Sequence, residues 1–342
     1  MRRRLLVAVL VVVLVPIAAV AQRATAASCP AGSKIGLWNT GSAVLRGANV
    51  YQGRNVFNAD VAFGDGPFTQ SDFDDLRAAG ANYVHISHAG IFSEQPPYAL
   101  DQAAVDNLDR VVNMARAAGL YAGIAFRSGP GRNDLSIVDA TNPQANHSIW
   151  TNQAAQDAWV EMVKFAAARY GRDPIVVGLS VMVEPTAYTQ HPTRFGFPDP
   201  ETFYAQFGGT IEDVNGLYAR ATTAIRSVDA DLPILLEPDG HGNINWLPFL
   251  RITGDARTVY TPHDYSPFKF THNGKGRYPS RKNNRTTQEA LLGQIAAFGD
   301  SHGVPVALTE FGARKIARTA SKYLADRVSI LDQIGNWSVW TW

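Results

Sequence analysis

Three glutamates stand at the ends of short β-rich runs: Glu184 after 175–183, Glu237 after 233–236 and Glu310 after 304–309. Glycoside hydrolysis needs one carboxylic acid to protonate the leaving oxygen and one carboxylate to attack the anomeric carbon. His263 and Tyr265 end another such run, and Trp340 and Trp342 close the chain; aromatic faces of this kind stack on sugar rings. His85, His88 and Arg127 lie at the ends of two earlier runs. The two histidines are three apart on a predicted strand, so they point to opposite faces and suit no shared metal. Neither a metal nor an organic cofactor is expected. The turn Gly129-Pro130-Gly131-Arg132 looks like a phosphate cradle only superficially, because no Lys-Ser/Thr pair opens a helix after it.

These side chains need a scaffold that gathers strand ends. Past residue 40 the chain alternates β-rich runs with segments of 3.6-residue apolar period. Strands are expected over 43–50, 83–87, 121–126, 175–183, 233–236, 258–263, 304–309 and 337–342. The first helix is capped by Thr69 or Ser71 and ends at Gly80; the second buries Val105, Leu108, Val112 and Ala115. A third starts near Thr151 and turns Trp159, Val163, Ala166 and Tyr170 to one face, and a fourth is marked by Val214, Leu217, Ala221 and Ile225. After a short turn at 247–250, two more are marked by Leu292, Ile295 and Phe298 and by Tyr323, Leu324, Val328 and Leu331. Eight such repeats imply an α/β fold, a single-domain (β/α)8 barrel, whose reactive groups belong at the C-terminal ends of the strands. A doubly wound open sheet would want a glycine-rich phosphate turn after the first strand, and the sequence has none there. The final covering helix is absent, so either the chain is truncated or the segment before Ala43 covers that side.

Four segments together resemble glycoside hydrolase family 5, the cellulase-type β-glycanases of clan A. Residues 177–185, Val-Gly-Leu-Ser-Val-Met-Val-Glu-Pro, resemble that family's acid/base strand, and Thr309-Glu310-Phe311-Gly312 resembles its nucleophile strand. Residues 260–268 are similar to its His-x-Tyr strand, and Trp340 falls where the family stacks a tryptophan beneath the sugar. The resemblance runs from about Arg46 to the C-terminus. It implies Glu184 as acid/base and Glu310 as nucleophile, with His263, Tyr265 and Trp340 around the −1 sugar. It also implies carboxyl groups about 5 Å apart and therefore retention of configuration. Glu237 also precedes a proline, but using it as the acid would break the family spacing. Val183 stands where the family has an asparagine, His85 where it has an arginine, and Arg127 where it has a histidine. His85 and Arg127 are carried as substrate-binding candidates, and a neighbouring charge is then expected from a different strand.

The implied function is endo-acting cleavage of a β-1,4-linked glucan or mannan. The alternatives are an exo-β-glycosidase or transglycosylase acting on oligosaccharides, and a non-catalytic carbohydrate-binding barrel. Closure of the cleft by the loops at 92–100 and 189–207 would favour the exo reading. Trp38, Phe92, Tyr188 and Trp246 are candidates for outer sugar subsites. Lys275, Arg277, Arg281, Lys282 and Arg285 cluster after the sixth strand; a solvated loop is the ordinary reading and an anionic polysaccharide contact the sharper one.

The bulk properties agree with a carbohydrate partner. The 342 residues carry a formal net charge of +1, too small a field to recruit nucleic acid or a membrane surface. Arg2, Arg3 and Arg4 followed by an apolar run to Val20 read as a signal peptide over 1–21. A secreted monomer is expected, with an N-terminal segment over 22–40 and the catalytic domain over 41–342. Cys29, the only cysteine, excludes an intramolecular disulfide.

Overall fold

The computed structural model describes residues 33–52, 68–194 and 196–341. The signal-peptide segment, Cys29 and Trp342 lie outside the described residues. Eight parallel strands form the centre: β1 (Arg46–Gln52), β2 (Tyr83–Ala89), β3 (Tyr121–Ser128), β4 (Val176–Ser180), β5 (Ile234–Leu236), β6 (Thr258–Tyr260), β7 (Ala307–Leu308) and β8 (Asn336–Val339). They pair in the order β6-β5-β4-β3-β2-β1-β8-β7. Bridges Tyr260↔Val306 and His263↔Glu310 join the two ends of that order into a ring. This is the expected (β/α)8 barrel.

Several strands are shorter than the sequence pattern suggests, for a local reason. Pro262 and Pro305 have no N–H to give to a ladder, so regular pairing ends before one and starts after the other. Beyond β4 the chain still hangs from its neighbours, with Val181 donating to Leu235 and Val183 to Phe126. The reactive strand ends are therefore irregular backbone held by single hydrogen bonds.

The helices follow the expected order: α1 (Gln70–Ala78), α2 (Gln102–Ala117), α3 (Leu135–Val138), α4 (Gln153–Tyr170), α5 (Pro200–Phe207), α6 (Val214–Arg226), α7 (Phe268–Thr271), α8 (Arg285–His302) and α9 (Ala320–Ile334). Thr69 and Asp72 form a capping box on α1, and Asp101, Asn152 and Asp213 cap α2, α4 and α6 through side-chain oxygens. The short α3, α5 and α7 were not anticipated. Of these, α5 had a legible start, because Asp199 accepts from Thr202 and Pro200 occupies the first turn.

The described part of the N-terminal segment meets the start of β8, where Asn336 bonds to Leu37, Val44 and Leu45, and it also plugs the bottom of the barrel. Residues 34–38 form a 3-10 turn whose Trp38 donates to the Val177 carbonyl at 2.8 Å. Trp38 packs with Leu45, Tyr83, Val177, Leu235, Val259 and Ala307, one inward-facing layer of the barrel. A buried side chain of that size contributes about 3–5 kcal/mol. Trp38 is thus core rather than a sugar platform. So is Trp246, which packs on Tyr188, Phe203 and Tyr204, while Phe92 is half-buried against Phe165. Above the plug, Gly123 faces His85 across the β2–β3 pairing, and a Cβ there would sit 2.0 Å from the Tyr83 hydroxyl. Glycine gives that ring the room to cross the barrel.

Candidate active site

The C-terminal strand ends open into a cleft of about 880 Å³ lined by Glu184, His263, Tyr265, Glu310, Arg127 and Trp340, among others. Glu184 follows β4 and Glu310 follows β7, and carboxylate oxygens of the two approach within 4.8 Å. His263 stands between them: its Nδ1 lies 3.1 Å from Glu184 Oε1 and 3.5 Å from Glu310 Oε2. The Tyr265 hydroxyl donates to Glu310 Oε2 at 2.8 Å. The chain beneath is tied down, because Asp264 donates its N–H to the Glu310 carbonyl and pairs with the buried Arg327 at 2.6 Å.

Glu184 has φ of +47°, a left-handed backbone that costs a non-glycine residue of order 1–3 kcal/mol. Both ends of its peptide are held. Its N–H donates to Glu237 Oε2 at 2.7 Å, and its carbonyl accepts from the Arg132 guanidinium. Arg132 also donates to the Val183 carbonyl at 2.6 Å and the Arg127 carbonyl at 3.0 Å. The Gly129–Arg132 turn thus delivers a buried cation to backbone carbonyls. Gly131 makes it possible at φ +73°, where a Cβ would also meet the Ile149 nitrogen at 2.7 Å.

Glu237 is fully buried and enters the site as a third carboxylate. It accepts from Ser180 at 2.9 Å and lies 3.4 Å from His263 Nε2, so His263 has a carboxylate on each side of its ring. Burial opposes charge on His263, but Glu237, Glu310 and Glu184 outweigh it and push its pKa up to about 10. His263 is therefore held as an imidazolium, with Nδ1 hydrogen-bonded to Glu184 and Nε2 facing Glu237 without a hydrogen bond. Burial pushes Glu310 up to about 7, against the pull of His263. For Glu184, burial works upward but the His263 hydrogen bond and charge overcome it, leaving it at about 2. The two values belong to the pair, so at pH between them the pair shares a single proton.

Arg127 supplies a cation from β3 where Val183 and His85 supply none. Its guanidinium sits 5.1 Å from the Tyr51 ring and 5.3 Å from the Trp340 ring. Asp134, 3.7 Å from Arg127, also accepts from the Tyr51 hydroxyl at 2.6 Å. His85 is not brought to the cleft. It is buried beneath, with Nδ1 2.7 Å from the Tyr83 hydroxyl, and burial lowers its pKa to about 3. His88 points the other way, to Asn107 on α2. Val183 is buried and also faces no part of the cleft.

Sequence reasoning missed Arg132, His241 and the use of Glu237. His241, at φ +60°, lines the cleft and lies 2.9 Å from the Tyr188 hydroxyl. Its position just past the end of β5 was the available signal. Glu184, His263 and Glu310 present ligand atoms mutually within 4.8 Å, close enough on distance alone to share a cation. An imidazolium has no lone pair to give, so the chemistry of this donor set favours proton transfer over metal binding.

Fold and site together define a barrel of the glycoside hydrolase kind. Residues 45–342 match the family Cellulase (glycosyl hydrolase family 5), and the chain belongs to that family. Endoglucanase H of Acetivibrio thermocellus is 20% identical over 283 residues, covering 79% of this chain and 27% of the relative. A probable glucan 1,3-beta-glucosidase of Arthroderma benhamiae is 23% identical over 58% of this chain and 43% of its own length. The chain thus spans less than half the length of these curated relatives. Among solved structures, endoglucanase Cel5A from Thermotoga maritima superposes with a TM-score of 0.66 at 20% identity, covering 91% of each chain. The same protein has been solved in complex with a mannotriose substrate, and that structure matches at 0.65 and 19% identity over 87% of this chain and 89% of its own.

Proposed function

We propose that the chain is an exported, monomeric, retaining β-glycanase that cuts β-1,4-linked glucan or mannan internally, with Glu184 as acid/base and Glu310 as nucleophile. The observation that carries this reading is the carboxylate separation within 4.8 Å, which leaves room for direct attack but not for an intervening water. In the first step Glu310 attacks the anomeric carbon while Glu184 passes its proton to the departing oxygen. The product is a glycosyl ester on Glu310 and a free alcohol. In the second step Glu184, now ionised, takes a proton from water as that water displaces Glu310 from the same face. Two inversions restore the starting configuration. The reactive form of the shared proton is the one on Glu184, where the glycosidic oxygen accepts it and where charge growing at the anomeric carbon favours ionised Glu310.

The endo reading is supported by the cleft walls. Among the described residues, neither 92–100 nor 189–207 contributes to its lining, so those loops do not close it into a pocket. The reading is tested by following methanolysis or hydrolysis of an aryl β-cellobioside and β-mannobioside by proton NMR. The β-anomer is expected first. Initial appearance of the α-anomer would refute double displacement.

Glu237 acts in this scheme as a positioning residue. It accepts from the Glu184 N–H and from Ser180, and its charge raises the His263 pKa. In Glu237→Gln both hydrogen-bond contacts can persist while the charge is lost, so His263 gives up its proton at lower pH. Glu237 also pushes Glu310 up directly, so the two effects of the substitution on the reacting pair oppose each other, and the expected result is read on His263 itself. Its NMR titration is expected to move to lower pH by about one unit or more. A purely structural role would lower the melting temperature and leave that titration where it is.

A further inference from the structure

The charge on this molecule is nearly balanced overall, with 31 Lys and Arg against 30 Asp and Glu. Its distribution is not even. Residues 265–288 hold six basic and no acidic residues, and residues 311–325 hold four basic and none acidic. Elsewhere exposed arginines pair with carboxylates, as Arg46 does with Asp332, Arg169 with Asp109 and Arg220 with Asp157. Among the described residues, Lys269, Lys275, Arg314 and Lys315 take part in no ion pair, although all are exposed.

The two basic segments form one platform. Arg314 donates its N–H to the Thr271 carbonyl at 2.8 Å, and Tyr278 donates its N–H to Thr319 Oγ1 at 3.0 Å. Arg314 and Lys315 line the catalytic cleft itself. Beside them Phe268, 60% exposed, stacks on His272 at 3.8 Å, and His272 meets the Tyr265 ring at 5.1 Å. Tyr265 in turn donates to Glu310. A flat apolar ring flanked by unpaired cations therefore sits within a few residues of the nucleophile. The cleft offers those cations no internal partner, since Asp264 is taken by Arg327 and the remaining acids are the reacting pair.

We propose that this platform is a subsite for a glycan unit bearing an anionic substituent, a carboxylate or a sulfate, at the end of the cleft walled by the loops after β6 and β7. The ring of Phe268 takes the sugar face, and Arg314 and Lys315 take the anion. The proposal deepens the hydrolase reading and rests on it for the position of the glycan chain. Nucleic acid is the less favoured polyanion, because the cations converge on the cleft with an exposed aromatic ring rather than spreading along an outer face.

The test compares soluble β-1,4-glucans of matched length: hydroxyethylcellulose as the neutral chain, carboxymethylcellulose and cellulose sulfate as the charged ones. At low ionic strength, kcat/KM is expected to be about tenfold higher on at least one charged polymer, and the arm that responds identifies the anion. At 1 M NaCl, where screening reaches to about 3 Å, the preference is expected to vanish. In the double variant Arg314→Ala/Lys315→Ala the charged-to-neutral ratio is expected to fall toward one. A ratio near one in the unaltered protein, a ratio that ignores the double substitution, or one that survives salt would each overturn the proposal. Affinity electrophoresis through the same three polymers and through duplex DNA reads the charge preference without catalysis. Failure of all hydrolysis would therefore count against the hydrolase reading alone, while retardation by DNA as strong as by the charged glucans would overturn the subsite.

Discussion

Glu310→Ala is expected to lower kcat on an aryl β-cellobioside roughly 10⁶-fold, the scale of loss when a covalent nucleophile is removed. No neighbour can take over. In the proposed mechanism Glu184 approaches from the leaving-group side, Glu237 is fully buried behind His263, and Tyr265 is still kept protonated in the variant by burial and by the Glu184 charge. Adding azide to the variant is expected to restore turnover and yield the α-glycosyl azide, because a single displacement inverts the centre. A β-azide, or activity close to that of the unaltered protein, would remove Glu310 from the nucleophile role. Stability separates chemistry from misfolding. The upper of the pair's two values is raised to about 7 from an ordinary 4.5, so the stability gained from holding that proton is present at low pH and is lost as pH rises between those values. The alanine variant is therefore expected to melt no lower than the unaltered protein at pH 7, apart from the cost of the cavity.

Glu184→Ala is expected to separate substrates by leaving group. An alkyl or sugar leaving group needs the proton, and loss of a positioned general acid costs about 10²–10⁴-fold. A 2,4-dinitrophenyl leaving group needs none, so its bond is expected to break at nearly the original rate. The second step then lacks its base, the glycosyl ester on Glu310 accumulates, and a burst followed by a low KM is expected in rapid-quench kinetics. Azide should intercept that ester and give the β-glycosyl azide. Equal losses for both leaving groups would mean that Glu184 serves binding or structure rather than proton transfer. The backbone at φ +47° is pinned by Glu237 and Arg132 through main-chain atoms, so its geometry does not depend on the carboxyl being removed.

Much of the barrel was legible because its signals are local. Apolar runs, helix caps such as Thr69 and Asp101, and the spacing of Val105, Leu108, Val112 and Ala115 report only on neighbouring turns. The order of those elements is enough to imply the ring and to place Glu184, His263 and Glu310 at one rim. The same reasoning could not see that Arg132 would fold back onto the Glu184 carbonyl, 52 residues away. Nor could it tell that Glu237, which reads locally as a second Glu-Pro, would sit behind His263. Whether an aromatic residue is a sugar platform or core was also invisible: Trp38 became the barrel plug, while Phe268 was left exposed at the cleft.

By itself the sequence determined the element order, the carboxylates available and the resemblance that assigns them to a double displacement. Only the tertiary structure decided which charges surround them. It set Arg127 between Tyr51 and Trp340, sank His85 below the cleft, and made His263 a cation among three carboxylates. The reason lies in the range of the interactions. A helix or strand is specified by residues within a few positions of one another. Protonation state and substrate contact depend on side chains from different strands, and those meet only once the barrel has closed and its register is set.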